Sequence, residues 1–490
     1  MFPTLLTRIR QTARNGDTSK AWHMFEEAGL CEDSSSEVLA LKGRLLKDRS
    51  LRCRGRARLA LARQAAAAYR ASAGERRATY PLINAATTAF LCGDVIEARE
   101  DARRILAIIE SGDYEPETGF WLNATVAEAR LLLGDKHGSR EALLAALASA
   151  PQAWEDRAAT IRQFREILQA TGDSFEMLDG LSPPATLHFS GIMNLTGHED
   201  EVCAQIGKAL HEIGPGAAYG ALAAGADIFI AEMALELGIQ LHVVLPGSLE
   251  QFRATSVARF GRSWLPRFEA LVDRADSLID LPEQGEVTHS GIIQATAIAM
   301  GLAIRRANQL ATDAVALHVG RSEDELALAL SWWKESGRTI YQVRRDVPRG
   351  VPFETVGVGA SRAILACDQS FPDRPGRCGD TWQTEEGYWL RAFDDVLEAV
   401  RYGREILSCQ TGARLGLDYG TMGSEISLEV AGQRAIYFAR AAQGNDICGA
   451  WPHVCVFDVL DPEVRFEPSG ELVTPFGDIP IARYSPLQPE

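Results

Sequence analysis

The sequence contains no uninterrupted run of about 18 uncharged apolar residues, the length that a membrane-spanning helix requires. Its longest apolar stretch, residues 291–304, is shorter and includes Gln294. Arg8 and Arg10 occupy the place where a secretory signal would have an apolar core. We therefore expect a soluble protein that is not exported.

Paired cysteines are also missing. The nine cysteines are an odd number, are scattered along the chain and include no Cys-x-x-Cys pair. This spacing excludes a disulfide framework and provides no zinc-binding pattern. We expect a reducing, cytoplasmic location.

The chain has no excess of basic charge, because 50 Lys and Arg residues face 66 Asp and Glu residues and the formal net charge is −16. Nucleic acid and anionic membrane surfaces repel a protein of this charge, so neither is expected as a main partner. Residues 1–80 are the exception, with 16 basic against 8 acidic side chains. Their arginine-rich segment, residues 44–63, is interpreted as the solvated face of a helix or as a docking patch for an anionic partner.

Length and composition indicate several folded domains. With 490 residues, 46% of them hydrophobic, the chain can build about three domains with cores of their own. Changes of pattern along the sequence place these domains at residues 1–181, 182–346 and 347–490. The expected fold class is multidomain: an α-helical solenoid, an α/β domain with a parallel sheet, and an α+β domain.

Residues 18–180 have the apolar periodicity of helices. Three Gly-Asp pairs, beginning at Gly93, Gly134 and Gly172, separate the helical segments and lie 41 and 38 residues apart. Glycine ends a helix in the left-handed conformation and aspartate can cap the next, so each pair predicts a helical hairpin turn. The spacing resembles that of divergent tetratricopeptide repeats, which implies a surface for a protein partner. A generic helical bundle is the alternative.

From residue 182 onwards, strands alternate with helices. The strands are predicted at residues 186–189, 240–245, 314–318 and 339–343, and the helices at residues 199–213, 228–237 and 324–336. Strands separated by helices and short glycine turns predict a parallel sheet covered by helices. Ligands bind such sheets at the carboxyl ends of the strands.

Polar residues and glycines follow these strands at the expected ligand-binding edge. Gly220 and Gly225 would let backbone amides approach a phosphate in front of a helix N-terminus, which favours negative charge. Asp227, at the start of that helix, is either a helix cap or an acceptor for a ribose or a base. The full set of expected ligand-binding residues is Ser190, Gly191, Tyr219, Gly220, Gly225, Asp227 and Glu232.

Several of these residues occur together in residues 185–345. The combination is Ser190-Gly191, Gly220, Gly225-Ala226-Asp227, Glu232 and Val243-Val244-Leu245-Pro246. It resembles the SLOG superfamily of Rossmann-like domains. The resemblance implies a nucleotide or nucleotide-derived ligand, which sensor members bind and enzymatic members cleave at an N-glycosidic bond. The Pro-Gly-Gly and the paired Arg and Glu of the phosphoribohydrolase members are not evident, which argues against hydrolysis.

The last third of the chain carries a different series of motifs. In chain order they are a strand ending at Asp368, a strand turning into a helix at 392–400, a strand at 413–420, and a strand-loop-helix carrying Glu429, Gly432 and Arg440. This order resembles class III adenylate/guanylate cyclase domains, in which two carboxylates hold Mg²⁺ ions that activate the 3′-oxygen of a nucleoside triphosphate. Helical repeats followed by SLOG-like and cyclase-like domains also resemble a bacterial class of multidomain cyclase-like proteins.

The same resemblance implies that the cyclase site is degenerate. Asp368 matches the first metal-binding aspartate, whereas the second position falls on Gly387, beside Glu386 and only 19 residues later. Ile436 replaces the asparagine that binds the ribose, and an isoleucine side chain cannot form a hydrogen bond. We therefore predict a pseudo-cyclase. Asp368, Glu386 and Arg440 would be catalytic, with Mg²⁺ at Asp368, only if activity persists.

The sequence thus predicts a nucleotide-responsive signalling or regulatory protein. Its repeats would bind a protein partner and its SLOG-like domain a small nucleotide, while its cyclase-like domain would form a homodimer or act as an output element. Two alternatives stay open. One is an active cyclase or N-glycosidic hydrolase, and the other is an interaction scaffold whose nucleotide folds are inert.

Overall fold

A computed structural model describes residues 2–14, 18–74, 77–193, 199–282, 287–320, 328–344, 360–372, 381–422 and 425–484. The chain divides into two units, Met1–Pro183 and Pro184–Pro486. The boundary predicted between residues 346 and 347 lies outside the described residues, so the division into three domains stays a prediction.

The amino-terminal unit is helical. Its segments are rich in alanine, leucine, arginine and glutamate, which have high helix propensity. The helices are α1 (Phe2–Arg14), α2 (Thr18–Glu27), α3 (Ser36–Ser50), α4 (Gly55–Ala73), α5 (Thr79–Leu91), α6 (Val95–Glu110), α7 (Gly119–Leu133), α8 (Lys136–Ser149) and α9 (Trp154–Thr171). This series confirms the helical fold predicted for residues 18–180.

Two of the three predicted hairpin turns are present. Gly93 and Gly134 have φ angles of 89° and 91°, in the left-handed region that ends a helix at glycine. Asp135 then caps α8, because its side chain accepts a hydrogen bond from the amide of Gly138. The helices on either side of each turn, α5 with α6 and α7 with α8, pack against each other.

The third predicted hairpin is wrong. Gly172 ends α9, but only a short 3₁₀ turn, Phe175–Leu178, follows it. Asp173 caps no helix, because its carboxylate accepts hydrogen bonds from Lys136 Nζ at 2.6 Å and from Thr171. The side chain therefore ties α8 to the end of α9.

The second unit begins with the predicted parallel sheet, which is confirmed. Its elements are β1 (Ala185–Gly191), α10 (Glu199–Ile213), β2 (Pro215–Gly220), α11 (Ala226–Glu236), β3 (Gln240–Leu245), α12 (Leu249–Phe252), α13 (Trp264–Arg274), β4 (Ser277–Asp280), α14 (His289–Leu310), β5 (Ala314–Gly320), α15 (Leu328–Glu335) and β6 (Ile340–Arg344). The strand order is β4-β3-β2-β1-β5-β6, and every pairing is parallel. The predicted start of α15 near residue 324 lies outside the described residues.

Strand β2 departs from the sequence prediction. The sequence predicts no strand between residues 214 and 227, whereas Pro215–Gly220 forms a strand buried along its whole length. Its small residues fit because β1 and β3 pair on either side and helices cover both faces.

A second, mixed sheet completes this unit. Its elements are β7 (Ala360–Cys367), β8 (Thr381–Gln383), β9 (Trp389–Phe393), α16 (Val396–Cys409), β10 (Arg414–Met422), α17 (Glu425–Ala441), β11 (Asp446–Ala450), α18 (Trp451–Val454), α19 (Phe457–Leu460), β12 (Glu467–Thr474) and β13 (Gly477–Tyr484). The order is β12-β13-β11-β10-β7-β9-β8. The predicted strand and helix at residues 392–400 are confirmed as the end of β9 and the start of α16.

The predicted strand-loop-helix around Gly432 is wrong. Glu429, Gly432 and Arg440 all lie on the continuous helix α17. This helix packs tightly across β10, since a Cβ added to Gly416 would lie 1.9 Å from the backbone oxygen of Ala435. Close packing against the sheet therefore stabilises one helix throughout this segment.

Helix α14 lies between the two sheets. One side of it packs on β1, β2 and β3, and the other contacts β7, β10, α18 and α19. Its apolar residues belong to a core cluster that includes residues of both sheets. Among the described residues, neither α14 nor any other helix combines the length and hydropathy that a membrane crossing would need.

Candidate functional site

The strand order of the parallel sheet reverses at β1. The chain passes from β1 to β2, β3 and β4 on one side, and then places β5 and β6 on the other side of β1. We call the edge formed by Gly191, Gly220 and Gly320, the last residues of β1, β2 and β5, the carboxyl edge. In parallel α/β sheets a crevice opens beyond the strand ends at such a reversal. The expected ligand site therefore lies beyond the carboxyl ends of the paired strands β1 and β5.

Ser190 and His318 lie side by side at the carboxyl ends of β1 and β5. They are register partners in β1 and β5, and Ser190 Oγ is 3.0 Å from His318 Nδ1. Burial lowers the pKa of His318 to about 4, so its imidazole is neutral at neutral pH. The sequence predicts Ser190 as a site residue and misses His318. The only sequence signal for His318 is its position at the end of a predicted strand.

Asp227 brings a carboxylate to the carboxyl edge from the first turn of α11. Only 6% of its surface is exposed. Oδ2 accepts a hydrogen bond from the amide of Ala223 at 3.2 Å, and the amide of Gly191 also stabilises the charged carboxylate. The other oxygen, Oδ1, has no hydrogen-bond partner within the described parts of the chain. Burial is the largest influence and raises the pKa of Asp227 to about 7.

Replacing Asp227 with asparagine is expected to stabilise the protein more at pH 8 than at pH 5. The folded-state pKa of about 7 lies above the ordinary value of 3.8, so the folded protein binds more protons than the unfolded chain between these values. The stability that depends on Asp227 therefore falls as the pH rises through this window. Asparagine carries no charge and removes this pH dependence of stability. In urea unfolding, the gain in the free energy of unfolding should therefore be larger at pH 8 than at pH 5 by roughly 1–3 kcal/mol.

The matched control for this measurement is Asp273→Asn, because Asp273 is an exposed aspartate on α13. We expect its effect on the free energy of unfolding to be small and equal at the two pH values. An Asp227→Asn gain that is also equal at pH 5 and pH 8 would contradict the raised pKa.

Glycines bring the end of β1 and the start of α11 together. Gly225 has φ 134° and ψ −130°, a conformation that side-chain-bearing residues rarely adopt. The next amide, that of Ala226, donates to the backbone oxygen of Ile192 at 3.1 Å. A Cβ added to Gly191 would lie only 2.4 Å from Cβ of Ala226. The structure thus brings four of the predicted residues together around the end of β1: Ser190, Gly191, Gly225 and Asp227.

The other three predicted ligand residues have partners within the fold. The buried ring of Tyr219 stacks on His242, with ring centroids 4.5 Å apart. A Cβ added to Gly220 would lie 2.5 Å from the backbone oxygen of Phe189, so close strand packing requires glycine there. Glu232 forms a two-fold ion pair with Arg267 of α13, with Nε to Oε1 at 2.7 Å. None of these contacts needs a ligand.

Asp368, the predicted metal-binding aspartate, forms an ion pair with Arg414. Its Oδ1 accepts from the backbone amide of Arg414 at 2.9 Å, and its Oδ2 accepts from the Nε of the same residue at 2.8 Å. The pair joins the end of β7 to the start of β10. Both carboxylate oxygens therefore have a protein donor.

Glu386 and Arg440, the other two predicted catalytic residues, form an ion pair with each other. Ile436 is buried in an apolar cluster between α17 and the sheet. Within the residues that the structure describes, no three His, Cys, Asp or Glu side chains gather around a point where a metal could bind. The magnesium site at Asp368 stays a prediction.

A cavity of about 490 Å³ lies at the opposite edge of the parallel sheet, where β1 and β5 begin. Its charged lining residues are Glu212, Asp313 and Arg338. None of the predicted site residues lines it. The cavity and the carboxyl edge are therefore separate features of the same sheet.

Comparison with known proteins identifies one part of the chain. Residues 5–89 match the family described as Tetratricopeptide Repeats-Sensor, which supports the predicted tetratricopeptide character of the first helices. No curated protein gives a significant match. Among solved structures, a mutant O-GlcNAc transferase from Thermobaculum terrenum is 11% identical, over 70% of this chain and 57% of the transferase chain, with a TM-score of 0.16. A TM-score this low carries no argument about fold or activity.

Proposed function

We propose that this chain is a nucleotide-responsive regulatory protein, whose ligand binds at the carboxyl edge of the parallel sheet. One observation carries the proposal: the buried carboxylate of Asp227, whose Oδ1 has no hydrogen-bond partner among the described residues, lies at the edge where the strand order reverses. A buried polar atom without a partner is costly in a folded protein, and a ligand that donates to it removes the cost. The side chains of Ser190 and His318 add a hydroxyl and an imidazole at the same edge of the sheet.

The remaining parts of the chain would carry the response. The tetratricopeptide repeats provide a surface for a protein partner, as such repeats do in general. The mixed sheet would serve as a homodimerisation or output element. Its carboxylates favour this role over catalysis, because a cyclase reaction that used Asp368, Glu386 and Arg440 would first have to break two ion pairs.

Isothermal titration calorimetry with a panel of nucleotides and cyclic nucleotides tests the ligand site. We expect at least one member to bind the full-length protein. Asp227→Ala and Gly225→Val should weaken that binding at least tenfold, since the first removes the acceptor and the second cannot adopt the backbone angles of Gly225. Glu236→Gln, at the exposed end of the same helix, is the control and should bind normally.

An interaction scaffold is the second candidate function. It is favoured by the match of residues 5–89 to Tetratricopeptide Repeats-Sensor. The first turns of α4 add a specific feature, because residues 54–60 are all exposed and include Arg54, Arg56 and Arg58. These arginines would suit a partner with an acidic surface. Failure of every nucleotide to bind would leave the scaffold as the better account.

A further inference from the structure

The cavity at the amino ends of β1 and β5 is large enough for a ligand of its own. Its volume of about 490 Å³ falls within the range of small-molecule sites, which is roughly 300–1,000 Å³. Four of its lining residues are small: Ala185, Ala307, Ala314 and Gly337. Apart from its neighbours in the chain, Gly337 has no atom within 4 Å of the place where a Cβ would lie. The cavity can therefore hold a small organic molecule.

Two helices end at this cavity and give part of it a negative character. Helix α10 ends at Ile213 and α14 ends at Leu310, and the last turns of both contribute lining residues. A helix C-terminus carries partial negative charge, because its last carbonyl groups have no amide partner in the helix. The exposed carboxylates of Glu212 and Asp313 line the same cavity. These groups together favour the ammonium group of a ligand.

Arg338, in the turn between α15 and β6, brings a guanidinium group to the same lining. Its guanidinium carbon lies 5.8 Å from the centroid of the Trp333 ring, a contact that positions the side chain. Burial lowers the pKa of Arg338, so the cation is partly withdrawn from water, and Asp458 is the carboxylate that acts on it. Asp458 is already paired with Arg305 at 2.7 Å. Arg338 has no ion pair of its own within the described parts of the chain, and it can therefore bind an anionic group of a ligand.

The opposite charges of the lining do not neutralise each other. Glu212, Asp313 and Arg338 face one cavity, yet the described residues include no ion pair between either carboxylate and the guanidinium. A simple cation or anion would meet only one kind of charge. A small zwitterion meets both, because its ammonium group suits the carboxylates and its carboxylate matches the planar fork of the arginine. Thr339 and Tyr341 add hydroxyl groups to the same lining.

We infer that this cavity binds a free amino acid, with its carboxylate on Arg338 and its ammonium group near Asp313 and Glu212. The site goes beyond the proposed function, because no residue of the proposed nucleotide site lines the cavity. The parallel sheet would then carry two ligand sites, one at each edge. Either site can fail its test without affecting the other.

The test titrates full-length protein in the calorimeter at pH 7 with each of the common L-amino acids. We expect at least one of them to bind with a Kd below about 1 mM. Its N-acetyl derivative lacks the positive charge and its α-amide lacks the negative charge. Each derivative should bind at least tenfold more weakly, because each leaves one kind of charge in the cavity without a partner.

Arg338→Met separates recognition of the carboxylate from folding. Methionine keeps an apolar side chain beside Trp333 and removes the charge. We expect the ratio of free amino acid to α-amide affinity to fall from at least tenfold to near one. A purely structural role of Arg338 would weaken both ligands and leave the ratio intact. Arg344→Met is the matched control, since Arg344 is exposed at the carboxyl end of β6, and it should keep the normal ratio.

The double variant Glu212→Gln/Asp313→Asn tests the other end of the ligand. Both replacements keep the shape of the side chain and remove its charge, so the ratio of free amino acid to N-acetyl affinity should fall to near one. Asp273→Asn, on the exposed face of α13, is the control and should leave this ratio unchanged.

Three results would overturn the amino acid site. They are the failure of every amino acid to bind, equal binding of the free amino acid and its two derivatives to the unmodified protein, and an unchanged ratio in Arg338→Met. None of these results affects the proposed nucleotide site, which is titrated with different ligands and altered by different substitutions.

Discussion

Replacing Arg305 with alanine is expected to lower the free energy of unfolding by about 3–5 kcal/mol. Nε and Nη2 of Arg305 lie 3.0 and 2.7 Å from Oδ2 of Asp458, and Nη1 donates to the backbone oxygen of Phe466 at 2.8 Å. The two charged side chains are only 7% and 10% exposed. Alanine would leave the buried Asp458 without its hydrogen-bonded ion-pair partner, and burial already raises the pKa of that carboxyl group. The loss is large because water cannot replace the missing partner.

Urea unfolding followed by tryptophan fluorescence measures this effect, since the ring of Trp451 lies 4.5 Å from the Arg305 guanidinium. Arg253→Ala is the matched control. Its ion pair with Glu269 spans 2.7 Å but is about half exposed, so its removal should cost about 1 kcal/mol or less. The double variant Arg305→Met/Asp458→Leu should recover most of the loss, because it leaves no buried charge. Equal losses for the two single alanine variants would refute the argument.

Replacing Gly301 with alanine is expected to destabilise the protein by about 3 kcal/mol or more. A Cβ at this position would lie 1.8 Å from the backbone oxygen of Cys455 and 2.6 Å from its carbonyl carbon. Backbone atoms cannot rotate away as the end of a side chain can. The whole of α14 would have to move away from α18 and α19, and this would disturb the core that both sheets share.

Gly207→Ala provides the comparison for this variant. Gly207 is also inside a long helix, α10, and a Cβ there would meet only the terminal methyl group of Met233 at 2.8 Å. That methyl can turn aside, and alanine has the higher helix propensity, so we expect a change between neutral and a gain of about 1 kcal/mol. Thermal and urea unfolding should therefore show a loss of stability for Gly301→Ala and no loss for Gly207→Ala. A tolerated Gly301→Ala would show that α14 does not pack this closely on Cys455.

Local sequence patterns were sufficient for many elements. Helix α10 spans Glu199–Ile213 and strand β3 spans Gln240–Leu245, the same limits as the predicted ones. In both segments the apolar periodicity, the flanking glycine or proline residues and the residue propensities all favour one structure. The same agreement explains why the helices of the first unit could be predicted.

Elements whose stability depends on distant neighbours were missed. β2 has the sequence Pro-Gly-Ala-Ala-Tyr-Gly, which lacks β-branched residues and is a strand only because β1 and β3 pair with it. The apolar stretch within α14 is explained by burial on two sides, between one sheet and the other. Neither arrangement follows from a local window of sequence.

At the carboxyl edge, too, some residues could be predicted from the sequence and others could not. Gly191, Gly225 and Asp227 could be selected from sequence because glycine and aspartate mark the end of a strand and the start of a helix. His318 could not, since its contact with Ser190 joins positions 128 residues apart. The role of Glu232 was equally hidden, because its partner Arg267 is on another helix, α13.

The sequence by itself determined the helical character of the first unit, the alternation of strands and helices after it, and the glycines and acid that end β1 and begin α11. These features depend on periodicity and on backbone preferences within a few residues of each other. Only the tertiary structure decided that the carboxylate of Asp227 is buried and bonded to the amide of Ala223, that Ser190 meets His318, and that Asp368 is paired with Arg414. The physical reason is that burial and hydrogen-bond partners depend on strand order and on the packing of helices, which join residues far apart in the chain.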